Sequence, residues 1–230
     1  MPTEASNGNF QAILFDMDGT LIDSEPLWLE AEQETMAPQG YNWTLSDQEH
    51  CLGSPMMRMA NYMVEKSTGE KDPEFFVKTV VGIMETKMAS SAKFTEGAAQ
   101  LLERVKQYPM ALVSASSRSL VDAALSRIAP HPFAISISYN DVSQPKPSPE
   151  GYLKAAQLLG VDVTQCLILE DSLTGVTAAR ASGAFTVAIP HLVKIEEDAR
   201  TKTITSLHQL TDAKIDEFYQ LHLTSYGQGR

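Results

Sequence analysis

The stretch ILFDMDGTLIDSEPLW, residues 13–28, joins an apolar run of strand length to two aspartates, Asp16 and Asp18, and a Gly-Thr pair. An apolar run of this kind is typical of a strand that is buried on both faces. Because glycine favours turns, the strand is expected to end at the first aspartate. Two carboxylates at the end of a buried strand indicate a chemical role, and the rest of the chain is interpreted around them.

Apolar runs of strand length recur along the chain and alternate with helical patterns. The runs are AILF (12–15), MALVS (110–114), FAISI (133–137), CLILE (166–170) and FTVAI (185–189). The helical patterns between them are AAQLLERVKQ, LVDAALSRI, GYLKAAQLLG and GVTAARASG, with Gly160 and Gly183 placed to end helices. This alternation predicts an α/β fold: a Rossmann-like parallel sheet with helices on both faces.

The first strand is separated from the others by a long stretch without a convincing strand. Amphipathic helical patterns cover residues 27–36, 56–64 and 75–88 of this stretch, which predicts an inserted small α-helical cap domain. Its methionines either fill a core or form an adaptable binding surface. The predicted boundaries are 1–10 for a disordered tail, 11–23 and 93–222 for the α/β core, 24–92 for the cap and 223–230 for a second disordered tail.

Composition limits the partners of the protein. The 230 residues carry a net charge of -11 and contain no basic cluster, which argues against nucleic acid and against an anionic membrane surface. The two cysteines, Cys51 and Cys166, are far apart, and Cys166 lies in the apolar run CLILE, where a reduced buried thiol is favoured over a disulfide. The N-terminus is polar and no apolar stretch is long enough to cross a membrane. We expect a cytoplasmic protein that is a monomer or a weak dimer.

Polar residues follow the predicted strands where ligands bind in open parallel sheets, beyond the carboxyl ends. They are Asp16 and Asp18 after the first strand, Ser114, Ala115 and Ser116 after the second, Lys146 after the third, and Glu170 and Asp171 at the end of the fourth. Several carboxylates in one site repel each other unless a cation lies among them. Mg²⁺ is the expected ion, with Asp16 and Asp171 as carboxylate ligands.

The same residues suit the cleavage of a phosphate ester. Lys146, with the hydroxyl and amides at Ser114 and Ala115, can neutralise a transferring phosphoryl group. Asp16 can attack phosphorus, while Asp18 protonates the leaving oxygen and later deprotonates a water. The reaction would pass through an aspartyl-phosphate.

Four segments resemble the four motifs of the haloacid dehalogenase-like hydrolase superfamily. They are DMDGTL (16–21), Ser114, Lys146 in KPSPEGY, and EDS (170–172) before Gly175. The resemblance spans residues 12 to about 190 in the correct order. The inset resembles the helical cap of the subgroup that includes β-phosphoglucomutase and small sugar-phosphate phosphatases. DSEPLWLEAE and VSASS are most similar to bacterial hexitol and 2-deoxyglucose-6-phosphate phosphatases.

The resemblance implies a role for each motif residue. Asp16 would be the nucleophile, and Asp18 the general acid/base and a metal ligand through its backbone carbonyl. Asp171, with or without Glu170, would bind the metal. The implied phosphoryl binders are Ser114 and Lys146.

Some residues allow two interpretations. Glu170 either binds metal or pairs with Lys146, and Ser116 either contacts phosphate or caps a helix. Trp28 either shapes a sugar pocket or anchors the cap core. Candidates for contact with the distal part of a substrate are Trp28 and the charged residues Glu25, Arg58 and Lys66, although charges in such positions are mostly solvated.

The sequence therefore predicts a Mg²⁺-dependent phosphatase for a small phosphorylated sugar or sugar alcohol. An isomerase of the β-phosphoglucomutase kind is the alternative. Mutases of the subgroup carry a histidine where this chain has Trp28, and an indole ring cannot relay a proton. A non-enzymatic binding protein on the same fold is the second alternative. Asp18 argues against a dehalogenase, which needs neither a metal nor a second aspartate.

Overall fold

The computed structural model describes residues 9–51, 56–190 and 194–227. The chain divides into two compact units. The first, called the core unit, comprises Met1–Ile22, Phe94–Val121 and His131–Arg230. The second, called the helical unit, comprises Asp23–Lys93 and Asp122–Pro130.

A single sheet of six parallel strands forms the centre of the described part of the core unit. The strands are β1 (Ala12–Phe15), β2 (Met110–Val113), β3 (Ile135–Ile137), β4 (Cys166–Glu170), β5 (Phe185–Ala188) and β6 (Thr201–Thr203). Their order in the sheet is β3-β2-β1-β4-β5-β6, so the direction of winding reverses beside β1. In such sheets the crevice at the reversal is the usual ligand site. The predicted α/β fold with a parallel sheet is confirmed.

In the described ranges, the connections between the strands are largely helical. The helices are α1 (Glu25–Met36), α2 (Leu45–Cys51), α3 (Met56–Lys66), α4 (Pro73–Ser91), α5 (Ala98–Arg104), α6 (Arg118–Arg127), α7 (Glu150–Leu159), α8 (Leu173–Ser182) and α9 (Asp212–Gly227). As predicted, α7 and α8 end at glycines: Gly160 and Gly183 take the left-handed conformation as C-caps.

The sheet is covered on both faces. On one face, Leu14 and Ile168 belong to a buried cluster with Tyr152 of α7 and Ala179 of α8. Side chains alternate along a strand, so Phe185, which pairs with Leu167, lies on the opposite face. There its ring centroid is 5.9 Å from that of Phe10 and 5.6 Å from that of Phe218 on α9.

The structure corrects several predicted boundaries. β3 begins at Ile135, two residues later than the apolar run. The sequence TKT of β6 was not predicted as a strand, because a short polar edge strand lacks the apolar run that identifies a buried one. α2 was also not predicted, because its seven residues, LSDQEHC, are mostly polar.

Both predicted disordered tails are too long. Phe10 is buried, and its ring contacts Tyr219 of α9 at 5.2 Å, so the packed core begins before residue 11. α9 continues to Gly227, so residues 223–227 are helical. The helix persists because Ile215, Phe218 and Tyr219 bury one face of it in the core. The rest of the two predicted tails, 1–8 and 228–230, lies outside the described residues.

One segment was assigned to the wrong unit. Residues 122–130 were predicted within the α/β core but group with the helical unit, and the division falls inside α6. The apolar periodicity of α6 identifies a helix, but it does not say which unit each part of the helix packs with.

The helical unit has its own core. Trp43 is 1% exposed, and its indole nitrogen donates a hydrogen bond to Oε2 of the buried Glu32 at 2.8 Å. Five methionines of this unit are buried, whereas Met57 is 47% exposed. The buried methionines are Met36, Met59, Met63, Met84 and Met88.

The two ends of the inset lie side by side. Ile22 forms an antiparallel bridge with Phe94, both in the core unit. The next pair outward, Asp23 and Lys93 of the helical unit, is joined by a backbone hydrogen bond of 3.0 Å from the amide of Asp23. The chain therefore enters and leaves the inset at one place.

Cys51 and Cys166 are both buried thiols, which confirms the prediction made for Cys166. Every helix in the described ranges is too short or too polar to cross a membrane.

Candidate active site

Asp16 is held at the end of β1 by the sheet itself. Its amide donates to the carbonyl of Leu169 at 3.0 Å and so continues the pairing of β1 with β4 by one residue. The residue is 6% exposed. The backbone ladder therefore fixes a buried carboxylate in the crevice where the strand order reverses.

A tight turn follows at Gly19, which has φ of +79° and donates to the carbonyl of Ile22 at 2.8 Å. A β-carbon at Gly19 would lie 2.2 Å from Oδ2 of Asp171. Only glycine fits, because this position needs both the left-handed conformation and the space. The next residue, Thr20, donates its hydroxyl to Oδ1 of Asp171 at 3.3 Å. The turn thereby brings the β1 and β4 ends together.

Lys146 is buried with all its donors occupied. Its Nζ lies 2.6 Å from Oδ1 of Asp16, 2.6 Å from Oε1 of Glu170 and 2.9 Å from the carbonyl of Val113. An ammonium group has three N–H bonds, so these acceptors use all of them. Burial disfavours the charge, but attraction to Asp16 and Glu170 outweighs it and raises the pKa of Lys146 well above its usual value.

Glu170, the last residue of β4, is fully buried and has both carboxylate oxygens bound. Oε1 accepts from Lys146 and, at 2.8 Å, from the hydroxyl of Tyr152. Oε2 accepts from the amides of Asp171 and Ser172, at 3.1 and 3.3 Å, and from the Ser172 hydroxyl at 3.2 Å. The Glu170 side chain is therefore held by neighbours from α7, from the loop that carries Lys146 and from the turn between β4 and α8.

Gly175 of α8 leaves room for this carboxylate. A β-carbon at this position would lie 1.7 Å from Oε1 and 2.1 Å from Oε2 of Glu170. The amide of Gly175 donates to the Ser172 hydroxyl at 3.0 Å, which caps the helix. The start of α8 and the carboxylate of Glu170 are thus packed directly against each other.

Three carboxylates form a candidate metal centre. Asp16, Glu170 and Asp171 each offer an oxygen, and these oxygens lie within 4.8 Å of one another. Among the described residues, Oδ2 of Asp16 is buried without a hydrogen-bond partner. Burial first, and repulsion from Glu170 second, raise the pKa of Asp171 to about 8 and also raise that of Asp16. A divalent cation fits here, because one lysine does not balance three clustered carboxylates.

Asp18 belongs to a different cluster of contacts. Its Oδ2 accepts from the hydroxyl of Ser116 at 2.8 Å and from that of Ser114 at 3.2 Å. The amide of Ser116 in turn donates to the Ser114 hydroxyl at 2.9 Å. Oδ1 of Asp18 is buried and has no hydrogen-bond partner in the described part of the chain. Asp18 is thus tied to the loop after β2, whereas Asp16 is tied to Lys146.

The structure brings the predicted core residues together in these two groups. Asp16, Lys146, Glu170 and Asp171 form one, and Asp18, Ser114 and Ser116 form the other. Ala115 is exposed between the two serines. The carboxylate of Asp18 is not part of the candidate metal centre, so any contribution from Asp18 to metal binding would have to use its backbone.

The predicted cap residues lie on helices of the helical unit. Glu25 and Trp28 are three positions apart on α1 and half-buried, while Arg58 of α3 is exposed. The tryptophan at the centre of this unit's core is Trp43 rather than Trp28.

Sequence reasoning missed two side chains of the site. The sequence pattern places Tyr152 in a helix, six positions after Lys146, and indicates no contact with the site, whereas in the structure its hydroxyl reaches Glu170. Ser172 both caps α8 and donates to Glu170. The Ser172 cap was visible as a serine before a helical pattern, but nothing in the sequence pointed the Tyr152 hydroxyl toward the site.

Comparison with known proteins identifies the class that this fold and this site define. The family model described as haloacid dehalogenase-like hydrolase matches residues 13–189. The chain belongs to this family, and the resemblance based on its four motifs is confirmed.

Relatives within the family include named phosphatases. Fructose-1-phosphate phosphatase YqaB of Escherichia coli K12 is 29% identical over 179 residues, covering 76% of this chain and 93% of its own. A phosphorylated carbohydrates phosphatase of Thermotoga maritima is 30% identical, covering 75% and 82%. The crystal structure of CbbY from Rhodobacter sphaeroides with phosphate is similar with a TM-score of 0.77 and 26% identity, covering 90% of this chain and 99% of that one.

Proposed function

We propose that this protein is a Mg²⁺-dependent phosphoric monoester hydrolase that acts on a small phosphorylated sugar or sugar alcohol. One observation carries the proposal. Lys146 binds Oδ1 of Asp16 at 2.6 Å, while Oδ2 is buried and has no hydrogen-bond partner among the described residues. Lys146 keeps this carboxylate oriented and leaves one oxygen available as a nucleophile.

The reaction has two half-reactions on the same carboxylate. Oδ2 of Asp16 attacks phosphorus, the bond from phosphorus to the ester oxygen breaks, and the leaving alkoxide takes a proton from Asp18. A water then attacks phosphorus of the aspartyl-phosphate and gives a proton to Asp18. The bond from phosphorus to Asp16 breaks, which releases inorganic phosphate and restores both aspartates.

Two serines, Ser114 and Ser116, would orient the carboxylate of Asp18 and bind the phosphoryl group. Their hydroxyls donate to Oδ2 of Asp18, and a phosphoryl oxygen is a competing acceptor for the same hydrogen bonds. We infer that Ser114 and Ser116 turn toward the bound phosphoryl group, with the amide at Ala115 as a further donor. Lys146 would contribute its charge, because its three N–H bonds already have acceptors.

Asp16, Asp171 and the backbone carbonyl of Asp18 would hold Mg²⁺. When bound, the ion supplies positive charge that neutralises the phosphoryl oxygens and the clustered carboxylates. Glu170 is better explained as the partner of Lys146 than as a direct ligand. Its two carboxylate oxygens already accept five hydrogen bonds from protein groups.

The substrate class is inferred from the relatives. A fructose-1-phosphate phosphatase and a phosphorylated carbohydrates phosphatase are among the proteins similar to this chain. We propose that Glu25, Trp28 and Arg58 of the helical unit contact the distal part of the substrate. Among them Trp28 offers an aromatic face suited to the C–H groups of a sugar ring.

The decisive experiment is a phosphate-release screen over hexose, pentose, hexitol and glycerol phosphates, with and without Mg²⁺. Release should require Mg²⁺ and be fastest with a sugar or sugar-alcohol phosphate. Asp16→Asn should abolish release, whereas Asp216→Asn, an exposed residue on α9, should keep it. Release that survives Asp16→Asn would refute the mechanism.

The isomerase alternative is tested with β-glucose 1-phosphate and a bisphosphate primer. A phosphatase yields glucose and inorganic phosphate, whereas a mutase yields glucose 6-phosphate. Formation of glucose 6-phosphate without phosphate release would replace the proposed function by the alternative.

A further inference from the structure

The phenol of Tyr152 lies beneath the candidate site and is not accounted for by the chemistry above. The residue is fully buried in α7, at the face of the sheet that α8 also covers. Its hydroxyl donates to Oε1 of Glu170 at 2.8 Å, and Nζ of Lys146 lies 5.0 Å from the centre of its ring. One side chain thus contacts both members of the Lys146–Glu170 ion pair.

The position of Lys146 depends on where Oε1 of Glu170 lies. Two donors, the Tyr152 hydroxyl and the Lys146 ammonium group, share this oxygen. The other oxygen, Oε2, is fixed by the amide of Ser172 and its hydroxyl. If the Tyr152 hydroxyl were removed, Lys146 would be the only side chain that still donates to Oε1 of Glu170. The ammonium group of Lys146 would therefore be drawn toward Glu170. Its hydrogen bond to Asp16 would lengthen as a result.

We propose that Tyr152 is a positioning residue, which holds Glu170 by its hydroxyl and so keeps Lys146 on Oδ1 of Asp16. The ring adds a cation–π contact on the buried side of the ammonium group. Tyr152 is fully buried and would act through its contacts with Glu170 and Lys146. The kinetic consequence rests on the proposed function, whereas the positioning of Lys146 does not.

Tyr152→Phe is the test variant, because it removes the hydroxyl but keeps the ring and its volume. The control is Tyr219→Phe, a buried tyrosine on α9 of the same unit. The first readout needs no substrate: proton exchange between water and the Lys146 ammonium group is measured by NMR on protein with ¹⁵N-labelled lysine. Lys146→Arg assigns the signal by removing it.

The ammonium protons of Lys146 should exchange several-fold faster in Tyr152→Phe than in the wild type and in Tyr219→Phe. Exchange at the wild-type rate in Tyr152→Phe would overturn the proposal. This result is independent of whether the protein is a phosphatase, so failure of the positioning role and failure of the proposed function are distinguishable.

The second readout is steady-state kinetics on the best substrate of the screen. Tyr152→Phe should lower kcat about tenfold and change KM little, because the lost contact orients the nucleophile and does not bind the phosphoryl group. In a double-mutant cycle with Glu170→Gln, the losses of transition-state stabilisation from the two changes should be far from additive, because both changes disrupt the same hydrogen bond between Tyr152 and Glu170. Additive losses would show that Tyr152 acts independently of Glu170 and would overturn the proposed route.

Discussion

The ammonium nitrogen of Lys146 lies 2.6 Å from Oδ1 of Asp16, and both side chains are more than nine-tenths buried. A second buried carboxylate, Glu170, lies at the same distance from this nitrogen. Removing one member of a buried pair is costly because it leaves the other charge uncompensated. The site is therefore also a structural element of the core unit.

Lys146→Ala should accordingly destabilise the core unit by about 3–5 kcal/mol, since Asp16 and Glu170 lose their common cation. Urea denaturation followed by circular dichroism measures the change. The control is Lys106→Ala, an exposed lysine paired with Glu103, which should change the free energy of unfolding by less than about 1 kcal/mol. A Lys146→Ala variant as stable as the control would contradict this interpretation of the pair.

Mg²⁺ should stabilise the protein in the absence of any substrate. At a Mg²⁺ concentration of about 100 times the dissociation constant, the gain is about 2.7 kcal/mol, because the ion binds the folded carboxylate cluster and not the unfolded chain. Scanning calorimetry with Mg²⁺ and with a chelator measures it. Asp171→Asn should lose most of the gain, and Asp216→Asn on α9 should retain it. An undiminished gain in Asp171→Asn would exclude the cluster as the binding site.

Two glycine-to-alanine changes should have opposite effects. Gly175→Ala forces a β-carbon to within 1.7 Å of Glu170, and should destabilise the core unit by about 3 kcal/mol and impair phosphate release. Gly82 is exposed on α4, and a β-carbon there meets nothing within 4 Å. Gly82→Ala should stabilise its helix by about 0.5–1 kcal/mol. Thermal melting of both variants measures these changes. Similar melting temperatures for Gly175→Ala and Gly82→Ala would refute the prediction.

The helical unit should lose stability as the pH rises. Burial raises the pKa of Glu32 from 4.5 to about 7, against the opposing effect of the Trp43 hydrogen bond. The folded state then binds the proton more tightly than the unfolded chain, so the contribution of Glu32 is most favourable below pH 4.5. It declines by up to about 3 kcal/mol as the pH rises through 7.

Tryptophan fluorescence is the suitable probe, because both tryptophans, Trp28 and Trp43, lie in the helical unit. Glu32→Gln should flatten the decline between pH 4.5 and 7 in urea unfolding experiments. Glu65→Gln, on the exposed face of α3, should leave the decline unchanged. If the free energy of unfolding fell with pH in Glu32→Gln as it does in the wild type, the raised pKa of Glu32 would not be the cause of the decline.

The sequence was sufficient to predict the buried strands but not the edge of the sheet. Strands β1, β2, β4 and β5 are mostly apolar because both faces of the sheet are covered there, and this property can be read from the local sequence. The edge strand β6 has only three polar residues, so its pairing with β5 depends on contacts distant in sequence. α9 is different. Ile215, Phe218 and Tyr219 have the spacing of one helix face, so this helix can be predicted from the sequence.

The sequence predicts which residues meet in the candidate site, but it does not predict the hydrogen bonds that their side chains form. Strand ends predicted that Asp16, Lys146 and Glu170 would meet, because parallel strands present their carboxyl ends at one edge. The contacts of Ser114 and Ser116 with Asp18 depend on side-chain rotamers in a loop, which no periodicity describes. The reach of Tyr152 to Glu170 likewise depends on the packing of α7 against β4.

The bridge between Ile22 and Phe94 has a consequence for protein engineering. Because the two chain ends of the inset emerge as hydrogen-bonded neighbours, the core unit accommodates the inset as if it were a single long hairpin loop. The entropy cost of closing a loop rises only slowly with its length, so a longer inset at this junction adds little to that cost. Caps from other family members could therefore be grafted at residues 22 and 94 while the scaffold remains continuous, which would test the proposed contact of the helical unit with the substrate.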